Sequence, residues 1–347
     1  MSKLISIIVP TSNRGKILEQ SLPLLFGQIK RHIDEVELII CDNASSDDTI
    51  AILERFQLSN ESCFSLVKYN VREDDIGAAI ARAGENGTGK YIQFWGDDDL
   101  PSPFMIDVLL DILRRYPGVG CVVSNRMLSS QDNFFPLLPV KNLRCVNQSF
   151  GRYEKEYANC EDFIEDTASI TGFLGNYLVL RSAWKNGMSF YDTDCLGYQF
   201  LTPLFAGLRG LHCVYLGYPI LIQRQFDSPR YIDYWPLYLY IGLSRVYKIL
   251  EQANVISDWR KPYYEYRFCK EPTSAHVWQL LYRCAAHPDI YLPYKSEIVG
   301  IQPTRIRRLA AQLIGRSMFE VRVGRIIYWL LCRSIVSRVC RKVFQKR

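Results

Sequence analysis

The eleven cysteines include no CxxC pair and the four histidines are dispersed, so the chain lacks the short-spaced ligand pairs of a zinc site. No secretory leader is legible. The apolar run Leu4–Pro10 is too short for one and reads as a first strand. An odd cysteine count without a leader predicts reduced thiols in a cytoplasm. Within Met318–Phe344 the longest uncharged stretch, Ile326–Cys332, is seven residues, whereas a bilayer span needs about 20. No GxGxxG follows the first strand, which speaks against a dinucleotide cofactor. The segment Gly84–Lys90, GENGTGK, approaches a phosphate loop but has Tyr91 where a Ser or Thr is needed, and it precedes a strand instead of following one. It predicts a helix-to-strand turn. Repeats and low-complexity tracts are also missing.

What is present is an ordinary globular balance, 48% apolar and 22% charged over 347 residues, enough for one large domain plus an extension. The texture changes beyond residue 225, since thirteen of the twenty-two tyrosines fall between Tyr215 and Tyr294. We therefore expect one domain over 1–225 and a helical, Tyr-rich extension over 226–347. Net charge is +6, but residues 303–347 alone carry twelve Lys/Arg and the single acid Glu320. That tail fits a basic amphipathic helix lying on an anionic membrane surface. It fits equally a helix packed on the protein with a solvated basic face. A nucleic-acid partner is not expected, because the cleft described next is acidic.

Strands and helices alternate through the first 125 residues. LISIIV (Leu4–Val9), VELIIC (Val36–Cys41), Phe64–Tyr69 and Tyr91–Trp95 read as strands, and Ile17–Ile29, Thr49–Phe56, Ile76–Ala83 and Phe104–Tyr116 as helices. Such alternation predicts a doubly wound, mostly parallel sheet flanked by helices, which binds ligands beyond the carboxyl ends of its strands. Pro10–Arg14, Asp42 and Asp97–Asp99 all fall at such ends.

Three consecutive carboxylates are unfavourable by themselves, since neighbouring like charges repel by roughly 4 kcal/mol at about 4 Å in a surface-like dielectric. A solvated loop capping the next helix would explain them, and so would a hard divalent cation, Mg²⁺ or Mn²⁺. The ordered series ISIIVPTSNR, VELIICDNASSDDT, IGAAIARAGENGTGKYI and QFWGDDDLPSP favours the cation, because it resembles the family-2 glycosyltransferases of the GT-A fold over about residues 3–125. The GDDD form resembles sugar transferases of bacterial surface-polysaccharide (O-antigen type) assembly. By that resemblance Pro10, Thr11, Asn13, Arg14 and Asp42 would line the nucleotide, Asp97 and Asp98 would meet the nucleotide sugar, and Asp98 and Asp99 would hold the metal. The family's common form places an acid where this chain has Gly96.

The resemblance also implies inversion at the anomeric carbon and a catalytic acid near a Glu-Asp pair. About ten residues before Gly210 the chain has Phe200-Leu201 instead, so Asp192 and Asp194 become the candidate bases, with Glu161-Asp162 as an alternative. The expected partners are a nucleoside-diphosphate sugar and a glycan or polyprenyl-linked acceptor met at the inner face of the cytoplasmic membrane. Two rivals use the same residues: a nucleotidyltransferase releasing pyrophosphate, and a non-catalytic sugar-nucleotide or glycan-binding module.

Overall fold

Uninterrupted aliphatic runs suit strands covered on both faces, as a parallel sheet requires. Ile5–Thr11 (β1), Val36–Asp42 (β2), Phe64–Lys68 (β3) and Tyr91–Phe94 (β4) form such a block in the order β3-β2-β1-β4. All three pairings are parallel, with Thr11 opposite Asp42 and Ile8 opposite Phe94. The computed structural model describes residues 2–59, 63–129, 144–145, 154–224, 237–265 and 285–302, together with 308, 311 and 312.

Beyond β4 the sheet departs from the mostly parallel expectation. Leu100–Pro101 (β5), Cys121–Ser129 (β6), Arg144–Cys145 (β7), Glu154–Tyr157 (β8), Tyr177–Leu180 (β9) and Cys213–Arg224 (β10) complete it. β9 inserts antiparallel between β4 and β6, while β10 runs parallel to β6 and takes β5 and β8 antiparallel. The sheet is therefore mixed. The apolar stretch Ile170–Leu180 is mostly tight turn, and only its last four residues pair.

Helices Gly15–Ile29 (α1), Thr49–Leu58 (α2), Ile76–Gly84 (α3) and Met105–Arg115 (α4) cover the first block. Leu18, Leu22, Leu25, Phe26 and Ile29 of α1 lie on one helical stripe and join Ile5, Ile7 and Val9 of β1 and Met105, Leu109 and Ile112 of α4 in a single core. Each such side chain contributes about 1.5–3 kcal/mol by burial. Ser102, a residue type that commonly caps helices, does not cap α4 through its side chain. Phe104 precedes the helix in a left-handed conformation, φ +64°. Gln28 of α1 supplies the cap instead, its Oε1 accepting from Ile106 N at 3.3 Å and its Nε2 donating to Ser102 O at 2.9 Å. A partner from another helix leaves no trace in the local pattern.

The glycine-rich turn GENGTGK joins α3 to β4 at the amino ends of the strands, away from Pro10–Arg14. Ser6 Oγ accepts from Thr88 N and Gly89 N at 3.0 and 2.7 Å, and a Cβ on Gly89 would come 2.8 Å from Ser6 N. The glycines permit that close approach.

The chain divides into two compact units, Met1–Phe226 with Arg245–Arg267, and Asp227–Ser244 with Phe268–Arg347. Helices Cys160–Thr167 (α5), Arg181–Gly187 (α6) and Leu201–Ala206 (α7) complete the first around the second half of the sheet. The described part of the second is helical, with Tyr240, Ile241, Tyr291 and Ile298 buried. Tyr247 and Tyr263 are likewise buried within the first unit. Most of the basic tail lies outside the described residues. Among the described residues, no helix is long and apolar enough to cross a membrane.

Candidate active site at the carboxyl ends of the parallel strands

β4 delivers the acids. Trp95 N donates to Ile8 O at 2.9 Å, extending the β1 pairing by one residue, and Asp99 N then closes a tight turn onto Gly96 O at 3.2 Å. Thr11 Oγ1 donates to Asp97 Oδ2 at 2.7 Å, Arg14 Nε lies 3.9 Å from the same oxygen, and Ser21 Oγ donates to Asp97 O at 3.2 Å. Burial pushes the Asp97 carboxyl up to about 7, the charge of Asp98 adds to the rise, and Arg14 and Thr11 oppose it.

The three acids are not equivalent. Asp99 is 2% exposed, and a Cβ on Gly96 would stand 2.4 Å from its Oδ2. Gly96, which stands where the resemblance calls for an acid, thus leaves the room that the Asp99 carboxylate takes in this turn. Asp97 is tied to Thr11, and Asp98 remains half-buried beside them.

The ends of β1 and β2 are joined by a separate network. Asp42 is almost wholly buried, and both its oxygens accept from Ser45, Oδ1 from the hydroxyl and Oδ2 from the amide at 3.0 Å. Asn13 is exposed, adopts a left-handed conformation (φ +55°) and donates its own N–H to Ser45 Oγ at 2.8 Å. Its Oδ1 accepts from Ser46 N at 2.8 Å and Asp47 N at 3.4 Å. Asn43 N reaches back to Thr11 O at 2.8 Å, and Thr49 Oγ1 accepts from Arg14 N and Gly15 N at 3.0 and 2.8 Å. Pro10 lies half-buried opposite Cys41.

The candidate bases lie on the loop before α7. Asp192 Oδ1 accepts from Asp194 N at 2.7 Å, Arg245 donates to Asp194 O at 2.8 Å, and the Asp194 side chain is exposed. No hydrogen bond joins either acid to Thr11, Asp42 or Asp97 among the described residues. Asp75 anchors this loop: its Oδ1 caps α3 through Gly77 N at 2.8 Å and Ala78 N at 3.2 Å, and its Oδ2 accepts from Gly197 N at 3.3 Å. Glu161 and Asp162 instead do structural work around the start of α5, accepting from Ser257 N and pairing with Asn159. Ser45, Thr49 and Asp75 build the site although sequence reasoning named none of them as site residues. Asp75 had a readable signal, an acid directly before the helical run IGAAIARAG.

This arrangement of strands and strand-end polar groups is that of a GT-A fold. Residues 6–175 match Glycosyl transferase family 2, and the chain carries that domain. Chondroitin synthase of Escherichia coli is 28% identical over 131 residues, covering 38% of this chain and 18% of that protein. The GalNAc(5)-diNAcBac-PP-undecaprenol beta-1,3-glucosyltransferase of Campylobacter jejuni is 27% identical over 129 residues, 37% of this chain and 40% of its own. The putative teichuronic acid biosynthesis glycosyltransferase TuaG of Bacillus subtilis is 32% identical over 98 residues, 28% of this chain and 36% of its own. The chain thus spans less than half the length of these curated relatives. Among solved structures, S. aureus TarS 1-349 superposes with TM-score 0.58 at 12% identity, over 94% of this chain and 89% of that one. The Pyrobaculum calidifontis mannosyltransferase PcManGT superposes with TM-score 0.52 at 16% identity, over 91% and 89%.

Proposed function

We propose that the chain is a metal-dependent, inverting glycosyltransferase. It moves a sugar from a nucleoside diphosphate to a hydroxyl of a glycan or polyprenyl-linked glycan in surface-polysaccharide synthesis. The observation that carries this reading is the meeting of Thr11, Arg14 and Asp97 beside Asp98, at the strand ends where an α/β sheet binds nucleotides. TarS has been solved with UDP-GlcNAc, and PcManGT with GDP-Man and Mn²⁺, which supports a sugar-nucleotide donor.

Among the described residues no group of three acidic, histidine or cysteine side chains is arranged to hold an ion, but the donor set at the end of β4 is of the type that a hard cation takes. It consists of carboxylates, and the proton affinity of Asp97 is raised by burial and by the charge of Asp98. Mg²⁺ or Mn²⁺ would be held by Asp98, with Asp99 and Asp97 behind it, and completed by donor phosphates and water. Bound there, the ion supplies stabilisation of the charge that develops on the departing diphosphate. Thr11 and Arg14 hold Asp97 in place, and Asp42 and Pro10 border the nucleoside. Asp194, assisted by Asp192, accepts the proton of the attacking hydroxyl. Residues 1–225 form the catalytic part of this proposal. Residues 226–347, apart from 245–267, which cluster with the first unit, form an extension whose basic tail meets an anionic membrane surface on the cytoplasmic side.

The test is a thermal-shift panel of nucleoside-diphosphate sugars with and without Mn²⁺, followed by product analysis with acceptor present. A donor at about 100 times its Kd stabilises by about 2.7 kcal/mol. One donor should do so only with metal, and Asp98→Ala should abolish the effect. Stabilisation by no donor, or equal stabilisation of Asp98→Ala, overturns the reading; release of pyrophosphate in place of nucleoside diphosphate assigns a nucleotidyltransferase.

A further inference from the structure

Family resemblance makes Asn13 a nucleotide contact, yet the hydrogen bonds around it run to the protein. Its Oδ1 faces two backbone donors, Ser46 N and Asp47 N, so the carbonyl end of the amide is committed to the loop after β2. Its backbone N–H orients the Ser45 hydroxyl, which in turn donates to Asp42. The left-handed φ of +55° turns the chain so that both bonds form at once, and Asn is among the few side chains that accept that conformation readily. None of these bonds uses Nδ2. The relay Asn13 N–H, Ser45 Oγ–H, Asp42 Oδ1 therefore spans both strand ends, while Thr49 Oγ1 ties down the two amides that follow Asn13.

We propose that Asn13 is a positioning residue: a latch that sets the spacing between the β1 and β2 ends and fixes the Asp42 carboxylate, without touching the donor itself. Its effect on the nucleotide rests on the reading above; the latch as such does not. Asp42 has both oxygens held by Ser45, so its remaining acceptor directions are fixed in space before any ligand arrives. Without the latch the 42–49 loop can pivot, and the carboxylate loses that fixed aim. The cost falls on nucleotide affinity and not on the chemical step.

The two roles separate by substitution. Asn13→Gly keeps the left-handed backbone and removes the Oδ1 acceptor. Asn13→Asp keeps an acceptor oxygen and removes the Nδ2 donor that a direct ligand contact would use. The full-length variants are compared by amide hydrogen exchange of the 42–49 segment and by binding of UDP and GDP in the presence of Mn²⁺. Losing two hydrogen bonds predicts exchange about tenfold faster in Asn13→Gly, and nucleotide binding weaker by about the same factor. Asn13→Asp should restore both to near the parent, and where turnover is measurable kcat and acceptor KM should stay unchanged. Parental exchange in Asn13→Gly overturns the latch. Parental exchange in Asn13→Asp combined with binding as weak as that of Asn13→Gly overturns it too, and makes the amide a direct ligand contact. If the parent binds neither nucleotide, the functional reading fails while the exchange comparison still decides the latch.

Discussion

Replacing Gly96 by alanine tests the packing of the acid turn. The new Cβ would stand 2.4 Å from Asp99 Oδ2 and 3.0 Å from its Cγ, so the carboxylate must retreat by about 1 Å to reach an ordinary contact. Side-chain tips usually yield, but this one is 2% exposed. Displacing a short, buried carboxylate within a closed turn is overpacking, at about 2 kcal/mol. For a unit of this size that lowers Tm by about 4–8 °C. The turn carries Asp98, so Mn²⁺-dependent nucleotide binding should weaken with it. Gly96→Asp, which restores the family's commoner form, should fare no better, because its Cβ occupies the same point. Calorimetry alongside metal-dependent nucleotide titration reads both effects. A Tm within about 1 °C of the parent, with unchanged binding, would show that Asp99 is not confined as described.

Other glycines give the contrasting results. Gly27 is exposed within α1 and a Cβ there meets nothing within 4 Å, so Gly27→Ala should stabilise by up to about 1 kcal/mol in a urea titration. Gly77→Ala should destabilise by about 3 kcal/mol, because its Cβ would come 2.0 Å from Gln199 Oε1 and 2.6 Å from the Gly197 backbone carbon. Asp194→Asn should lower kcat about 10²–10⁴-fold while leaving donor Kd unchanged. Should Asp192→Asn give the larger kcat loss, the two assignments exchange.

The first block of the fold was legible because its strands are covered on both faces and their composition records it. The end of β4 was legible for a similar reason, since three adjacent acids after an apolar run need an explanation in charge. Strand direction was not. Tyr177–Leu180 would read the same whether it ran with β4 or against it, and the tight turns from Ala168 to Asn176 decide which. Loop-to-loop hydrogen bonds were equally silent. Asn13 stands more than thirty residues from the amides it holds, and Gln28 more than seventy from the helix start that it caps. At Gly96 the sequence shows only a missing acid, and the position of Asp99 shows what takes the room that this leaves.

The antiparallel strand β9 also governs how the molecule can be cut. The stretch that matches the family ends at residue 175, just ahead of Tyr177. A fragment truncated there would leave β4 with an open edge. It would also strip β6 of both β9 and β10, leaving it paired with the two-residue β7 alone. Exposed apolar edges of that kind template aggregation. The stretch that matches the family therefore lacks strands that its own sheet needs, and a soluble minimal fragment should run at least through Arg224, where the last strand of the sheet closes.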